Sequence, residues 1–327
     1  MLLLTDEHVQ ALTQMPDLVS AIREGYRTQA RGGTQLPDRI NLESTPGFFR
    51  LMPGVSDGAG LMGFKVFNQV SEGGVQYLIG LFDERTGELL AQLDGAYLTA
   101  ARTGATTGVA AGFLAPQTGV EIGVIGSGLE AETNLEGVCA ALDVKRVRVY
   151  SPNPQRRTAF VDRMAARLDV DVVAVSDPAE AAAAPVVVVA TNTGVGTGRV
   201  ALEGKWLMPG TTVLSIGSTM PSLREIDTDV VGRAALVVSD APDQARTESG
   251  DLIAADEEGV LDGKLVALAD LAGGNVPDLD AGAITVFKSV GTALQDLVAA
   301  KVVYDRAVQH GIGTSVDLLR TKKPAGA

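Results

Sequence analysis

The sequence predicts an α/β protein in which a doubly wound parallel sheet is joined to a second, smaller α+β domain. Three observations carry that expectation. From Gly119 onward, short apolar runs at residues 121–125, 147–150, 170–175, 186–190, 212–216 and 236–239 alternate with helix-length segments, the pattern of parallel strands joined by helical crossovers. Between residues 37 and 95 the text changes to short apolar runs broken by glycine, with Asp83-Glu-Arg-Thr-Gly87 as a hairpin turn, so an antiparallel or mixed sheet is expected there. Between these regions, Val120-Glu-Ile-Gly-Val-Ile-Gly-Ser-Gly-Leu-Glu-Ala131 runs from a strand through a glycine turn into a helix.

That turn reads as a dinucleotide-binding turn, formed by Gly126, Ser127, Gly128, Leu129, Glu130 and Ala131. Gly126 permits the tight turn, Gly128 lets backbone N–H groups approach a pyrophosphate, and Ala131 keeps the helix close to its strand. The alternative is a glycine turn in some other α/β protein, but a second strand at 147–150, one helix length later, favours the cofactor reading. No acidic residue follows Tyr150, where a ribose 2′-hydroxyl would be held. Ser151, Asn153, Arg156 and Arg157 instead offer hydrogen bonds and charge to a 2′-phosphate, so NADP(H) is preferred and NAD(H) is the second choice. The competing explanation leaves both arginines solvated on the next helix. Thr191 and Gly217 open the loops 191–198 and 217–221 at carboxyl ends of strands, where ligands bind in such sheets.

The remaining elements follow in order. Leu2-Leu-Leu4 reads as a short strand and Thr5 as the cap of a helix, and residues 16–26 continue as an amphipathic helix with Pro16 in its first turn. Strands are expected at 39–42, 48–52, 62–67, 76–82 and 89–93. Arg39, Arg50 and Lys65 interrupt these apolar runs. Strand alternation, which turns every second side chain to solvent, explains any one of them. Taken with Arg102, which opens an Ala/Gly/Thr-rich helix at 100–112, they suggest a convergent cationic pocket; Phe67 and Tyr77 are candidate walls, although apolar strand residues are more often core. Beyond Asp240 a loop-rich stretch is expected at 244–252, then a single long helix from Thr285 to Tyr304, and a mobile tail from Arg320.

Composition narrows the classes. A chain of 327 residues with 46% apolar content and a net charge of −13 is ordinary for a globular protein and speaks against nucleic acid or an anionic membrane as a partner. The first residues lack the features of a signal peptide, and no apolar run approaches membrane-spanning length, so a cytoplasmic location follows by default. With two histidines and the single Cys139, neither a zinc hydrolase nor an intrachain disulfide has material to build from, and no metal site is expected.

The blocks Gly63-Phe-Lys-Val66, Ala101-Arg-Thr-Gly104, Gly126-Ser-Gly-Leu-Glu-Ala131, Pro221-Ser-Leu-Arg-Glu-Ile-Asp227, Glu248-Ser-Gly-Asp251 and Thr285-Val-Phe-Lys-Ser-Val-Gly291 stand in one order along the chain. In these it resembles the ornithine cyclodeaminase/mu-crystallin family over nearly its whole length. The resemblance implies a Rossmann domain at 114–288 and a substrate-binding domain at 1–113 together with 289–327. It also implies a homodimer formed through the sheet of that second domain, and NAD(P)-linked chemistry at the carbon–nitrogen bond of a small imino or amino acid. Lys65 matches the family's active-site lysine, Arg102 and Arg39 match the arginines that hold the substrate carboxylate, and Arg50 matches a basic position present in some members. One departure is informative. Thr219 stands where cyclodeaminase and alanine dehydrogenase members carry an aspartate, and a threonine hydroxyl cannot act as a general base near neutral pH. Mu-crystallin-like ketimine reductases lack the acid as well. The expectation is therefore an NAD(P)H-dependent reductase of α-imino acids such as pyrroline- or piperideine-2-carboxylate. The alternatives are an ornithine cyclodeaminase or amino-acid dehydrogenase, and a non-enzymatic NADP-dependent binder of small ligands.

Overall fold

The computed structural model describes residues 1–70, 73–192 and 199–319. Residues 193–198 of the first ligand loop and the tail from Arg320 lie outside the described residues. Two eight-stranded sheets organise the chain. In the first, Gly47–Ser56, Leu61–Val70, Gly74–Asp83 and Leu89–Asp94 pair as successive antiparallel neighbours, and Leu2–Leu4 adds in parallel at the end of that run. The mixed sheet expected from the glycine-broken text is thus present. Thr5 caps the helix Asp6–Leu12, and the helix Met15–Ala30 carries proline in its first turn.

The second sheet is parallel throughout, with Val120–Ile125 between Val144–Tyr150 and Val186–Val189. The chain steps outward on one side of Val120–Ile125 and then returns to its other side. The crevice at the carboxyl end of that strand is the place where the strand order reverses, which is where α/β sheets bind ligands.

Two expectations need correction beyond Asp240. The run from Thr285 is not one helix: Ile284–Lys288 is a fully buried strand between Thr212–Ser215 and Ala234–Ser239, and the helix is Ala293–His310. Apolar periodicity cannot separate a buried strand from a helix over so few residues, whereas the β-branched and aromatic side chains of Ile284, Thr285, Val286 and Phe287 suit a pleated surface. Gly291, at φ +82°, turns the chain between the two elements. The stretch 244–252 is not a loop but belongs to two short helices, Pro242–Glu248 and Gly250–Glu257. Ser249 ends one and caps the next. A smaller correction concerns Arg102, which sits in the second turn of its helix because that helix starts at Ala96.

The helix Ala96–Leu114 joins the two sheets and packs against Leu129–Ala141, the helix that follows the glycine turn. Small residues make the approach close. A Cβ on Gly104 would lie 2.0 Å from the Thr133 carbonyl oxygen, and one on Gly137 would lie 1.9 Å from that of Gly104. The backbones touch there, which fixes Arg102 relative to the glycine turn.

Candidate active site

A cavity of about 590 Å³ opens at the carboxyl ends of the parallel strands, between the two sheets. It gathers Arg39, Arg50, Lys65, Arg102, Gly126, Ser127, Gly128, Leu129, Glu130, Ser151, Asn153, Arg156, Thr191, Gly217 and Thr219. Of the residues expected from sequence, Ala131 and Arg157 do not line it. Ala131 is buried behind the turn, 3.5 Å from where a Cβ on Gly126 would be, so its part is packing. Arg157 donates to the Ser151 carbonyl oxygen at 3.0 Å and lies over the Tyr150 ring, supporting the turn after the strand. Arg156 keeps its place on the cavity wall.

The floor of the cavity is cationic and rests on one carboxylate. Lys65, from Leu61–Val70, donates to Asp296 at 3.0 Å, and Arg102 Nε donates to the same carboxylate at 2.8 Å. Asp296 is completely buried. Burial, with Arg102 alongside, pulls the Lys65 ammonium down to about 7, although Asp296 opposes the shift. Burial pulls on Arg102 too, but Asp296 and other carboxylates outweigh it and raise the guanidinium. Lys65 is thus the member of the pair that gives up a proton near neutrality, the property of a useful acid.

Arg39 is held from the other side. Its Nη2 donates to the carbonyl oxygens of Val290 and Gly291 at 2.7 and 2.9 Å, and its Nε lies 3.2 Å from Glu248. Asp240 fixes the 289–291 backbone by accepting from the Val290 and Gly291 amides at 2.9 and 2.8 Å. Gln295 joins the groups by donating to Asp240 and to the Tyr26 hydroxyl while accepting from Arg102. Arg50 lies over the rings of Phe48 and Phe67 and donates to Asn41, and Phe67 stacks on Tyr77. Guanidinium groups fixed in this way can grip a carboxylate through parallel hydrogen bonds.

The opposite wall fits a dinucleotide. Gly126 has φ +132°, a conformation that favours glycine, and a Cβ on Gly128 would meet nothing within 4 Å, so the backbone there is bare toward the cavity. Ser127 donates to Ser151 at 2.9 Å, and Asn153 caps the next helix by accepting from the Arg156 amide. Glu225, fully buried, ties the two ligand loops together. It accepts from the Thr191 amide at 3.1 Å and the Gly217 amide at 2.7 Å, with Lys288 at 3.5 Å and Asp251 in turn 2.8 Å from Lys288.

The model of the ornithine cyclodeaminase/mu-crystallin family matches residues 1–311. The chain belongs to that family. Among the family's relatives, the alanine dehydrogenase of Archaeoglobus fulgidus is 32% identical, covering 98% of this chain and 99% of its own. A Delta(1)-pyrroline-2-carboxylate reductase of Bacillus cereus is 30% identical, over 82% of this chain and 84% of its own. The solved structure of the Thermococcus litoralis Delta(1)-pyrroline-2-carboxylate reductase, in complex with NADH and L-proline, superposes with a TM-score of 0.90 at 31% identity. It covers 97% of this chain and 100% of that one.

Within this family member, sequence reasoning missed Asp296, Gln295, Asp240 and Glu225 as parts of the site. A signal for the first two exists. Gln295 and Asp296 are the only polar residues in the otherwise apolar run Ala293-Leu-Gln-Asp-Leu-Val-Ala-Ala300, and a buried acid needs a cationic partner. Glu225 stood inside a matching block, yet its role depends on two loops far apart in sequence.

Proposed function

We propose that this chain, an NAD(P)-linked oxidoreductase of carbon–nitrogen bonds, reduces α-imino acids to amino acids, with cyclic imino acids such as pyrroline- and piperideine-2-carboxylate as the substrate class. The observation that carries the reading is the placement of Lys65 and Arg102 on one buried Asp296, facing a glycine turn fitted for a dinucleotide, with Thr219 on the wall in place of an acid. A reduced dinucleotide held along Gly126, Gly128, Thr191 and Gly217 would supply hydride from its nicotinamide for the imine carbon. Arg102 and Arg39 hold the substrate carboxylate, with Arg50 beside them. Lys65 gives its proton to the imine nitrogen, or holds a proton there, as negative charge arrives. The opposite direction would first require removing a proton from an ammonium substrate, and the Thr219 hydroxyl is no base for that.

NADP(H) is the cofactor we infer to be preferred, with NAD(H) accepted. Ser151 and Arg156 stand at the end of the second parallel strand, and no acid lies there to meet a 2′-hydroxyl. The working form we infer is a homodimer paired through the first sheet, where Leu42 is 57% and Phe49 44% exposed. NAD(P)H consumption followed with a panel of cyclic imino acids tests the reaction. Turnover with at least one of them is expected, and efficient conversion of L-ornithine to proline and ammonia instead would refute it. Direct titration tests the cofactor: NADPH should bind more tightly than NADH, and Arg156→Ala should narrow the gap.

A further inference from the structure

Among the described residues that line the cavity, Glu130 is the only carboxylate, set against Arg39, Arg50, Lys65 and Arg102. It lies in the first turn of Leu129–Ala141, where backbone N–H groups are bare for a pyrophosphate. Its Oε2 is shielded from solvent and has no hydrogen-bond partner among the described residues. An ionised carboxylate in that position would oppose the two negative charges of a diphosphate. A neutral carboxylic acid carries one O–H donor that needs an acceptor. We propose that Glu130 holds the dinucleotide as a neutral acid, its O–H donating to an oxygen of the bound cofactor, so that cofactor binding requires one retained proton.

The groups that act on Glu130 agree with this assignment. Burial raises its carboxyl above the usual range, while Arg102 on Ala96–Leu114 and Lys65 on Leu61–Val70 oppose the shift. Both of those cations already share Asp296, which weakens their claim on a second carboxylate. Tyr77, on Gly74–Asp83, is itself raised by burial and then by Glu130. A bound diphosphate would push the carboxyl further in the same direction. The sign follows: the neutral form binds, so affinity is full below the Glu130 pKa of the unliganded protein and falls as pH rises through it.

This inference rests on the dinucleotide reading given above, and the experiment separates the two. NADH, which lacks a titrating 2′-phosphate, is titrated by nicotinamide fluorescence across a pH series with the wild-type protein and with Glu130→Gln. Proton uptake on binding is measured by calorimetry in two buffers of different ionisation enthalpy. The wild-type dissociation constant should rise along a limb of up to about tenfold per pH unit, with protons taken up along it. Glu130→Gln should retain the low-pH affinity and lose both the limb and the uptake. Equal pH profiles for the two proteins, or no proton uptake by the wild type at any pH, would overturn the role of Glu130 while leaving the cofactor site intact. Because Lys65 lines the same cavity and titrates at about 7, uptake is assigned to Glu130 by the difference between wild type and variant. Glu130→Ala, which should lose the same limb and the same uptake, is the second variant if Glu130→Gln fails to fold. Absence of NADH and NADPH binding at every pH would defeat the cofactor reading as well.

Discussion

Replacing Asp296 by asparagine keeps the shape of the side chain and removes the charge that Lys65 and Arg102 share. The Lys65 nitrogen is 2.9 Å from one carboxylate oxygen and 3.0 Å from the other. For unit charges about 2.9 Å apart, Coulomb's law at an effective dielectric near 20 sets a ceiling of about 6 kcal/mol. Breaking a buried pair by removing one partner costs about 3 to 5 kcal/mol. Taking roughly 3 kcal/mol as the loss felt by the ammonium, at about 1.4 kcal/mol per unit, its pKa should fall by about two units. The wild-type Lys65 titrates at about 7, so it is protonated below that value and loses its proton as pH rises through it. In kcat/KM for imine reduction, the wild type should therefore decline above neutrality, and Asp296→Asn should show the same decline displaced by about two units to acid. At neutral pH, where the wild type is itself half protonated, the loss would be roughly fiftyfold. Much of it should return at acid pH, which a merely misfolded variant would not show. The assay is cofactor oxidation over a pH series, with circular dichroism as the check on folding. An unshifted decline would refute the reasoning, because it would mean that Asp296 does not set the charge of Lys65.

Three further outcomes are expected. Thr219→Asp, which restores an acid on the cavity wall, should gain measurable amine oxidation or ornithine turnover over the wild type, and no gain would show that the missing base is not what limits the reverse direction. Gly104→Val drives a side chain into the Thr133 carbonyl at the helix crossing and should cost roughly 3 kcal/mol, the upper end for overpacking, in denaturant unfolding; wild-type stability would show that the two helices part freely. Light scattering at micromolar concentration should give a dimer, and Leu42→Glu with Phe49→Glu should give a monomer; a monomeric wild type would count against pairing through the first sheet.

The parallel sheet and its cofactor turn were legible because the evidence is local: Gly126, Gly128 and Ala131 sit within one turn, and each flanking strand is a short apolar run. Lys65, Arg39 and Arg50 were legible as polar interruptions of apolar runs, and Arg102 as the one cation in a small-residue helix. Their partners were not, because Asp296 reaches Lys65 only through tertiary packing and no spacing rule links a strand residue to a helix at the far end of the chain. Ile284–Lys288 was misread for a related reason. A strand buried on both faces loses the alternation that marks a half-exposed one, so its apolar residues merged with those of the following helix. Arg157 shows the converse limit, since adjacent arginines look alike in sequence while the backbone sends one to the cavity and the other to the Ser151 carbonyl.

The ion pairs on Asp296 join residues 231 and 194 positions apart. During synthesis, Lys65 and Arg102 emerge from the ribosome long before their counter-ion exists, and closing the first sheet around them at that stage would bury two cations with nothing to neutralise them. The nascent first half therefore has an electrostatic reason to stay open until the last long helix arrives. Contacts of such range close slowly, since loop entropy is lost before they form. Assembly of the cationic floor then waits for the helix Ala293–His310, and the apolar strands of the first sheet stay unprotected until it docks.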